Sequence, residues 1–281
     1  MNAIKTAVLL AAITGLFVGI GFLVGGIGGM IVAFALAGVM NFFAYWSSDK
    51  LALRMAGARE VSMQEAPRLH SIIEEVSAQA SMPKPKVYIV ENATPNAFAT
   101  GRNPKHAAVA VTTGIMNLLD ERELRGVIGH ELGHVKNRDI LTSSIVATLA
   151  GAISMIAWMS LWFGGIGGRR SGYGALISLA AFLLAPIAAG LIQAGISRTR
   201  EYSADRSGAE VTHDPEALAS ALEKLQRGVA QAPMEPTPMA ESTAHLYIVH
   251  PFRGGGLVNL FSTHPPIEER VKRLRDMAYS R

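Results

Sequence analysis

The pentapeptide His130-Glu131-Leu132-Gly133-His134 holds the residues whose types and spacing are best suited to chemistry. Residues i and i+4 of a helix share a face, so His130 and His134 can direct two imidazoles at one metal ion. Glu131 lies beside that face, where its carboxylate can act as a general base instead of a ligand. Catalytic zinc sites use three protein ligands of this kind and keep one position open. The sequence therefore predicts a zinc ion on His130 and His134, with Glu131 as the catalytic base.

The third zinc ligand is expected on a second helix, and Glu201 is the candidate. Glu201 and Asp205 are four residues apart, so they share a helical face. We expect Glu201 to bind the ion and Asp205 to accept a hydrogen bond from a ligand histidine, which fixes the tautomer of that ring. The alternative for both is a solvated helix surface, because Arg198, Arg200 and Arg206 are close neighbours in the chain.

The composition indicates a membrane protein. Of the 281 residues 49% are hydrophobic and 17% are charged, whereas soluble domains carry about 25% charged residues. A membrane span needs roughly 20 apolar residues, and three long stretches contain no charged side chain: residues 6–48, 140–168 and 171–197. The first is long enough for two spans. We therefore predict about four transmembrane helices, near residues 5–24, 30–47, 140–163 and 175–197.

The stretches between these spans show the periodicity of a soluble domain. Residues 65–79 have amphipathic helical spacing. Strands are predicted at residues 86–90, 97–100 and 107–112. Asp120 is expected to cap the helix that carries the histidines, and this helix is predicted to continue through Ile140 to about Phe163. Further helices are predicted at residues 199–211, 215–229 and 266–279.

The charges favour a lipid surface over nucleic acid as the partner of the basic residues. The net charge is +4, and many Lys and Arg residues lie beside the apolar stretches. Between the third and fourth predicted spans only Arg169 and Arg170 are basic, whereas the soluble side carries many more. The positive-inside rule then places both termini and the soluble domain in the cytoplasm. The chain has no cysteine, which excludes disulfides and cysteine-ligated zinc.

The chain resembles the bacterial membrane-bound zinc metalloproteases of the HtpX type, which are relatives of the CAAX prenyl proteases. The resemblance covers nearly the whole chain: the N-terminal hairpin, the two metal-site motifs, and the segments at residues 96–101 and 263–266. It implies one Zn²⁺ per subunit and polypeptide substrates. It also implies quality control in the inner membrane, where misfolded or damaged membrane proteins are cleaved at the cytoplasmic face.

The predicted fold class is α+β, a multi-pass membrane protein whose mainly helical, zincin-like metalloprotease domain contains a small β-sheet. Residues 1–48 form an N-terminal transmembrane hairpin, and residues 49–139 form the first part of the protease domain. Residues 140–197 form a second transmembrane or membrane-associated hairpin. Residues 198–281 complete the protease domain with the third ligand. The oligomeric state stays open, and a homo-oligomer is compatible with the sequence.

Residues that bind substrate and stabilise the oxyanion are also predicted, the second on the basis of the family-like segment at residues 263–266. Residues 96–100 are predicted to form an edge strand on which an extended substrate pairs, with Asn96, Ala97, Phe98 and Ala99 as the substrate-binding residues; the alternative is a loop crossing under the active helix. His264, held by two following prolines, is the candidate second oxyanion donor, or else a turn histidine. Arg270 is expected to orient this segment or to pair with Asp205.

Other functions remain open from the sequence alone. A membrane scaffold with a structural metal would have four protein ligands and no water. A transporter is disfavoured because no charged side chain lies in the interior of a predicted span. Among enzymes, the alternative is a specific processing peptidase of the CAAX-protease type. The third and fourth predicted helices can also pack over the soluble domain instead of crossing the bilayer.

Overall fold

The computed structural model describes residues 2–141, 145, 198–235, 237, 246–249, 251–252 and 265–279. The helices are α1 (Asn2–Met55), α2 (Pro67–Gln79), α3 (Thr113–Leu118), α4 (Glu121–Lys136), α5 (Arg198–Thr212), α6 (Pro215–Gln231) and α7 (Ile267–Tyr279). The strands are β1 (Ala58–Glu60), β2 (Lys86–Val90), β3 (Ala97–Gly101) and β4 (Ala107–Thr112). The predicted α+β class is confirmed for the described residues. His264, Arg169, Arg170 and almost all of the third and fourth predicted spans lie outside the described residues.

Helix α1 folds back on itself as a hairpin. Its helical geometry is interrupted at Gly25 and Gly26, and Gly26 has a φ of 57°, a conformation in which glycine avoids the usual steric penalty. The two arms are antiparallel, because Asn41 Nδ2 donates to Thr14 Oγ1 at 2.7 Å. Among the described residues, the segment Gly25–Ser47 is long and apolar enough to cross a membrane, and Leu10–Gly19 is a shorter apolar helix. The four-span count therefore remains a prediction.

The sheet is mixed and has both faces covered. Its strand order is β1-β2-β4-β3, with β2 and β4 parallel and the two outer pairs antiparallel. Successive side chains of a strand point to opposite faces. On β4, Val109 and Val111 therefore join the main core with α2, whereas Ala108 and Ala110 join a smaller core that includes Phe98 of β3. The three strands predicted from the sequence are confirmed; β1 was missed.

The second arm of α1 continues directly into the smaller core. The predicted boundary at residue 48 falls inside this helix, which extends to Met55. Ala52 and Leu53 are buried and contact the same cluster as Phe98. The N-terminal hairpin is thus joined to the sheet by continuous helix instead of a flexible linker.

Helix α4 begins as predicted but ends earlier. Asp120 and Glu123 form a reciprocal capping box at its start. The predicted continuation to Phe163 is wrong, because α4 ends at Lys136. The Asp139 N–H bonds the His134 carbonyl at 2.9 Å and the Arg138 N–H bonds the preceding turn, which is the Schellman pattern. Arg138 holds the left-handed position with a φ of 59°, so α4 is interrupted at this point.

Candidate metal centre

Small residues let α4 and α5 approach until their backbones touch. A Cβ atom added to Gly208 would lie 2.6 Å from the His130 backbone nitrogen, and one added to Gly133 would lie 2.9 Å from the Ala204 carbonyl oxygen. Neither position has room for a larger residue, since real Cβ atoms do not make contacts that short. This contact places Glu201, one turn before Ala204, against the histidine face of α4.

Three predicted ligands converge at this contact. The candidate donor atoms of His130, His134 and Glu201 all lie within 4.8 Å of one another. Nε2 of His130 is 3.7 Å from one Glu201 carboxylate oxygen, and Nε2 of His134 is 3.5 Å from the other. Ligand atoms about 2.1 Å from a tetrahedral zinc ion are about 3.4 Å apart. The donor set therefore fits an ion of this size with little movement.

Asp205 and Arg270 form a buried ion pair behind His130. Asp205 Oδ1 lies 2.9 Å from His130 Nδ1. The Arg270 guanidinium binds both oxygens of the same carboxylate, at 2.7 and 2.8 Å. Burial alone would raise the pKa of Asp205, but the charge and hydrogen bonds of Arg270 lower it to about 2. An ionised Asp205 keeps the His130 proton on Nδ1, so Nε2 is free to face the ion.

The solvated-surface alternative for these carboxylates is excluded by their burial. Glu201 is 7% exposed and Asp205 is 4% exposed. Arg270 is completely buried, and its Nη1 atom lies 3.6 Å from a Glu201 oxygen. Of the two contacts considered for Arg270, the one with Asp205 is present. His264, the other residue suggested for this region, lies outside the described residues.

Asp139 is a neighbour of the site that the sequence analysis missed. Its carboxylate lies 3.4 Å from His134 Nδ1, and the residue is 3% exposed. Burial by itself would lower the pKa of His134, but the hydrogen bond to Asp139 and the nearby carboxylates raise it to about 9. A continuous helix would have carried Asp139 away from this face. The available signal was a charged residue directly before an apolar stretch.

Glu131 connects the active helix to the edge of the sheet. Its carboxylate accepts a hydrogen bond of 2.8 Å from the Ala99 N–H. Burial raises the pKa of Glu131 above its ordinary value, although the neighbouring histidines oppose the shift. A carboxylate held in place with a raised pKa is suited to accept and release a proton.

The predicted substrate-binding strand is present as β3, the edge of the described sheet. Its residues differ in whether their backbone groups face β4 or face away from it. Antiparallel residues alternate between pairing with the neighbouring strand and facing away from it. Because the Ala99 N–H bonds Glu131, the backbones of Ala97 and Ala99 face away from β4. Phe98 pairs with β4 and is 4% exposed.

Both the side chain and the backbone of Asn96 are hydrogen-bonded to other residues of the chain. Its side-chain amide donates to the Leu246 carbonyl at 3.4 Å and accepts from the Ile248 N–H at 3.0 Å. Its backbone exchanges hydrogen bonds with Thr112. The Asn96 side chain thus fastens the segment 246–248 beside the start of β3.

A buried His-His-Glu cluster with a neighbouring carboxylate, placed under the edge of a small sheet, defines a metallopeptidase site. The model of Peptidase family M48 matches residues 63–278. The chain belongs to this family and is a membrane metalloprotease. The resemblance stated from the sequence is therefore confirmed.

Similar proteins from bacteria match along the whole chain. A Protease HtpX homolog of Persephonella marina is 54% identical, and the match covers 99% of this chain and 98% of that protein. A Protease HtpX homolog of Methylibium petroleiphilum is 53% identical, with 100% and 99% covered. These relatives favour a protease over the scaffold and transporter alternatives.

The fold is also similar to that of a solved structure. The crystal structure of S. mikatae Ste24p matches with a TM-score of 0.50 and 19% sequence identity. The match covers 97% of this chain and 65% of that chain. It supports the fold assignment alone.

Proposed function

We propose that this protein is a zinc-dependent endopeptidase of the bacterial inner membrane that cleaves misfolded or damaged membrane proteins at the cytoplasmic face. The observation that carries the proposal is the convergence of His130, His134 and Glu201, with Glu131 beside them. The cluster lies on two helices, α4 and α5, whose backbones are in direct contact, so the packing of the protein brings the ligands together before an ion binds.

Zinc is the ion that best suits this donor set. Two imidazoles and one carboxylate are a usual catalytic zinc set, and one coordination position remains for water or substrate. Each histidine has its Nδ1 atom engaged by a carboxylate, Asp205 or Asp139, which leaves both Nε2 atoms for the ion. When bound, zinc would activate a water molecule and polarise the substrate carbonyl.

The residues of the chain then supply proton transfer and orientation. Glu131 takes a proton from the attacking water and delivers it to the leaving amine. Until substrate binds, the Ala99 N–H holds the carboxylate of Glu131 in position. Arg270 keeps Asp205 ionised, and Asp205 keeps His130 in the ligand tautomer. We keep His264 as the proposed second donor to the oxyanion.

Substrate is proposed to bind as an added strand along β3. The backbone groups of Ala97 and Ala99 face away from β4, and backbone pairing accepts many sequences. All five residues of β3 are buried and Glu131 holds the Ala99 N–H, so substrate must displace contacts that the chain makes itself. Broad sequence tolerance suits the removal of damaged proteins.

The proposed topology is four membrane spans with both termini and the active site in the cytoplasm. Residues 1–48 and 140–197 form the two membrane hairpins. Residues 49–139 and 198–281 together form the protease domain. The excess of Lys and Arg on one side supports this orientation. Labelling of a cysteine introduced at Arg169 from outside intact cells tests it; labelling only after lysis would contradict it.

Removal and return of the metal test the proposed activity. The purified protein in detergent should cleave casein, lose cleavage after incubation with a chelator, and regain it with one equivalent of Zn²⁺. The cause is that the site's ligands bind the ion but cannot activate water without it. Full cleavage by the metal-free protein, or no cleavage with zinc bound, would contradict the proposal.

Zinc affinity is expected to rise about tenfold per pH unit between pH 7 and 9 and to level off above pH 9. The pKa of His134 is raised to about 9, so the metal-free ring is protonated at pH 7 and its proton is lost as the pH rises through 9. Competition against a chromophoric chelator, corrected for the chelator's own protonation, measures this slope. A flat affinity over the interval would contradict it.

Asp139→Asn is expected to weaken zinc binding by about 10–100-fold, the usual effect of removing a histidine's carboxylate partner. The Asp139 carboxylate makes the His134 ring a stronger ligand and fixes its orientation. Chelator competition measures the affinity, and the thermal unfolding midpoint of the metal-free protein measures separately the stability lost with the buried contact between Asp139 and His134. Asp276→Asn, on the exposed face of α7, is the matched control. Equal zinc affinity in Asp139→Asn and the control would show that the contact is unimportant.

A further inference from the structure

Aromatic side chains mark the end of the membrane-crossing segment of α1. Phe42, Phe43, Tyr45 and Trp46 are 59%, 60%, 40% and 51% exposed. They lie at the C-terminal end of Gly25–Ser47. Tyrosine and tryptophan concentrate where a membrane meets water, because the ring is apolar and the polar edge is hydrated. The lipid headgroups are therefore at the level of Tyr45 and Trp46.

The loop that follows β3 lies at this same level. The Arg102 guanidinium is 4.7 Å from the centre of the Trp46 ring, a cation–π contact. Arg102 comes directly after Gly101, the last residue of β3, and the same loop exposes Lys105 and His106. Basic side chains beside an aromatic belt suit an anionic lipid surface. The end of β3 thus points at the membrane.

The continuous helix after Trp46 gives an independent measure of the distance between the sheet and the membrane surface. Leu53 contacts the cluster that holds Phe98 of β3, and it is seven residues after Trp46 on α1. At 1.5 Å per residue, the intervening helix spans only about 10 Å. Since no linker interrupts α1 here, the sheet cannot move far from the bilayer.

The catalytic base is equally close to the interface. Ala99, whose N–H bonds Glu131, is three residues before Arg102. At about 3.3 Å per residue, these three residues cover about 10 Å of strand. An extended chain that leaves the bilayer beside Gly101 therefore reaches Glu131 within about three residues.

We propose that the enzyme selects juxtamembrane segments: unfolded stretches that directly flank a transmembrane helix of the substrate. Such a stretch pairs along β3, with its membrane-proximal end at Gly101 and its scissile bond beside Glu131. Peptide bonds as close as about four to eight residues to the substrate's transmembrane helix can then reach Glu131. The proposal rests on the proposed protease function and adds which part of a membrane protein is cut.

A series of anchored substrates tests the reach of the site. One cleavable segment, defined beforehand by mass spectrometry of casein fragments, is placed about 4, 8, 16 or 32 residues from a fixed transmembrane helix. In proteoliposomes, the substrates with spacers of about 4 and 8 residues should be cut several-fold faster than the one with about 32, and equal rates would remove the selection. Cleavage that begins only at spacers of about 16 residues would place the site far above the membrane and overturn the proposal.

The same series separates this inference from the proposed function. Wild-type protein that cuts long spacers but not short ones leaves the protease intact and removes the juxtamembrane selection. Wild-type protein that cuts none of them, nor casein, removes the protease itself. Glu131→Gln gives the background for each substrate.

A location measurement supports or overturns the geometry without any cleavage. The chain has no cysteine, so Lys105→Cys gives a single labelling site in the loop after β3. Ser71→Cys is the matched control, because it is exposed on α2, which covers the opposite face of the sheet. Lipids that carry a headgroup quencher should quench a fluorophore at position 105 several-fold more than one at position 71. Equal quenching at the two positions would overturn the proposal.

Discussion

Glu131→Gln is expected to lose most peptidase activity while the bound zinc remains. The amide has the shape of the carboxylate and can still accept the Ala99 N–H, but it cannot take up the proton of the attacking water. General-base catalysis contributes about 10²–10⁴-fold, so kcat should fall by that factor. Zinc should stay bound because Glu131 is not one of the three converging ligands.

Cleavage of casein in detergent and zinc content by mass spectrometry measure the two effects on the same sample. Glu210→Gln, an exposed glutamate on α5, is the matched control and should behave as wild type. Wild-type cleavage by Glu131→Gln would remove Glu131 as the base and return the site to a structural metal. Loss of zinc together with activity would instead make Glu131 a ligand.

Arg270→Met is expected to destabilise the protein by about 3–5 kcal/mol, because it leaves the buried Asp205 carboxylate without its partner. Arg270 is fully buried and binds both oxygens of that carboxylate. Arg273→Met, on the same helix, should change stability by about 1 kcal/mol or less, since its pair with Glu269 is largely exposed. Thermal or urea unfolding of the metal-free protein compares the two variants.

Removing both members of the buried pair separates stability from metal binding. In Arg270→Met combined with Asp205→Leu, no unpaired charge remains, so much of the lost stability should return. Zinc affinity should not return, because His130 has lost the acceptor at its Nδ1 atom. Equal unfolding of Arg270→Met and Arg273→Met would contradict the role assigned to the pair.

The local patterns of the sequence predicted the elements that carry the site. Helical spacing placed His130 and His134 on one face, and the three main strands were predicted at their observed positions, including all of β2. The spacing of Glu201 and Asp205 predicted two carboxylates on one face of α5, and the structure buries both against α4. These features depend on residues a few positions apart, which is the range that a sequence pattern reports.

The end of α4 could not be predicted because its cause is a single unusual residue. A Schellman turn normally has glycine at the left-handed position, and here Arg138 takes it. With no glycine to mark the turn, the following apolar stretch favoured a continued helix. Because the helix was expected to continue, the contact between Asp139 and His134 was not predicted either.

Long-range partners were also beyond the sequence. Asn96 bonds the backbone of Leu246 and Ile248, about 150 residues away, and nothing near either end indicates the contact. The close approach of α4 and α5 did leave a signal: small residues recur four apart on both helices, at Gly129 and Gly133 and at Ala204 and Gly208. That pattern permits backbone contact but does not by itself name the partner helix.

Zinc content per chain tests the central claim most directly. After dialysis against a mild chelator, wild type and Glu210→Gln should retain one zinc ion per chain, whereas Glu201→Gln should retain almost none. The expected difference follows from the convergence of Glu201 with His130 and His134 at one point. Stoichiometric zinc in Glu201→Gln would show that the ion is held elsewhere and would contradict the account of the site.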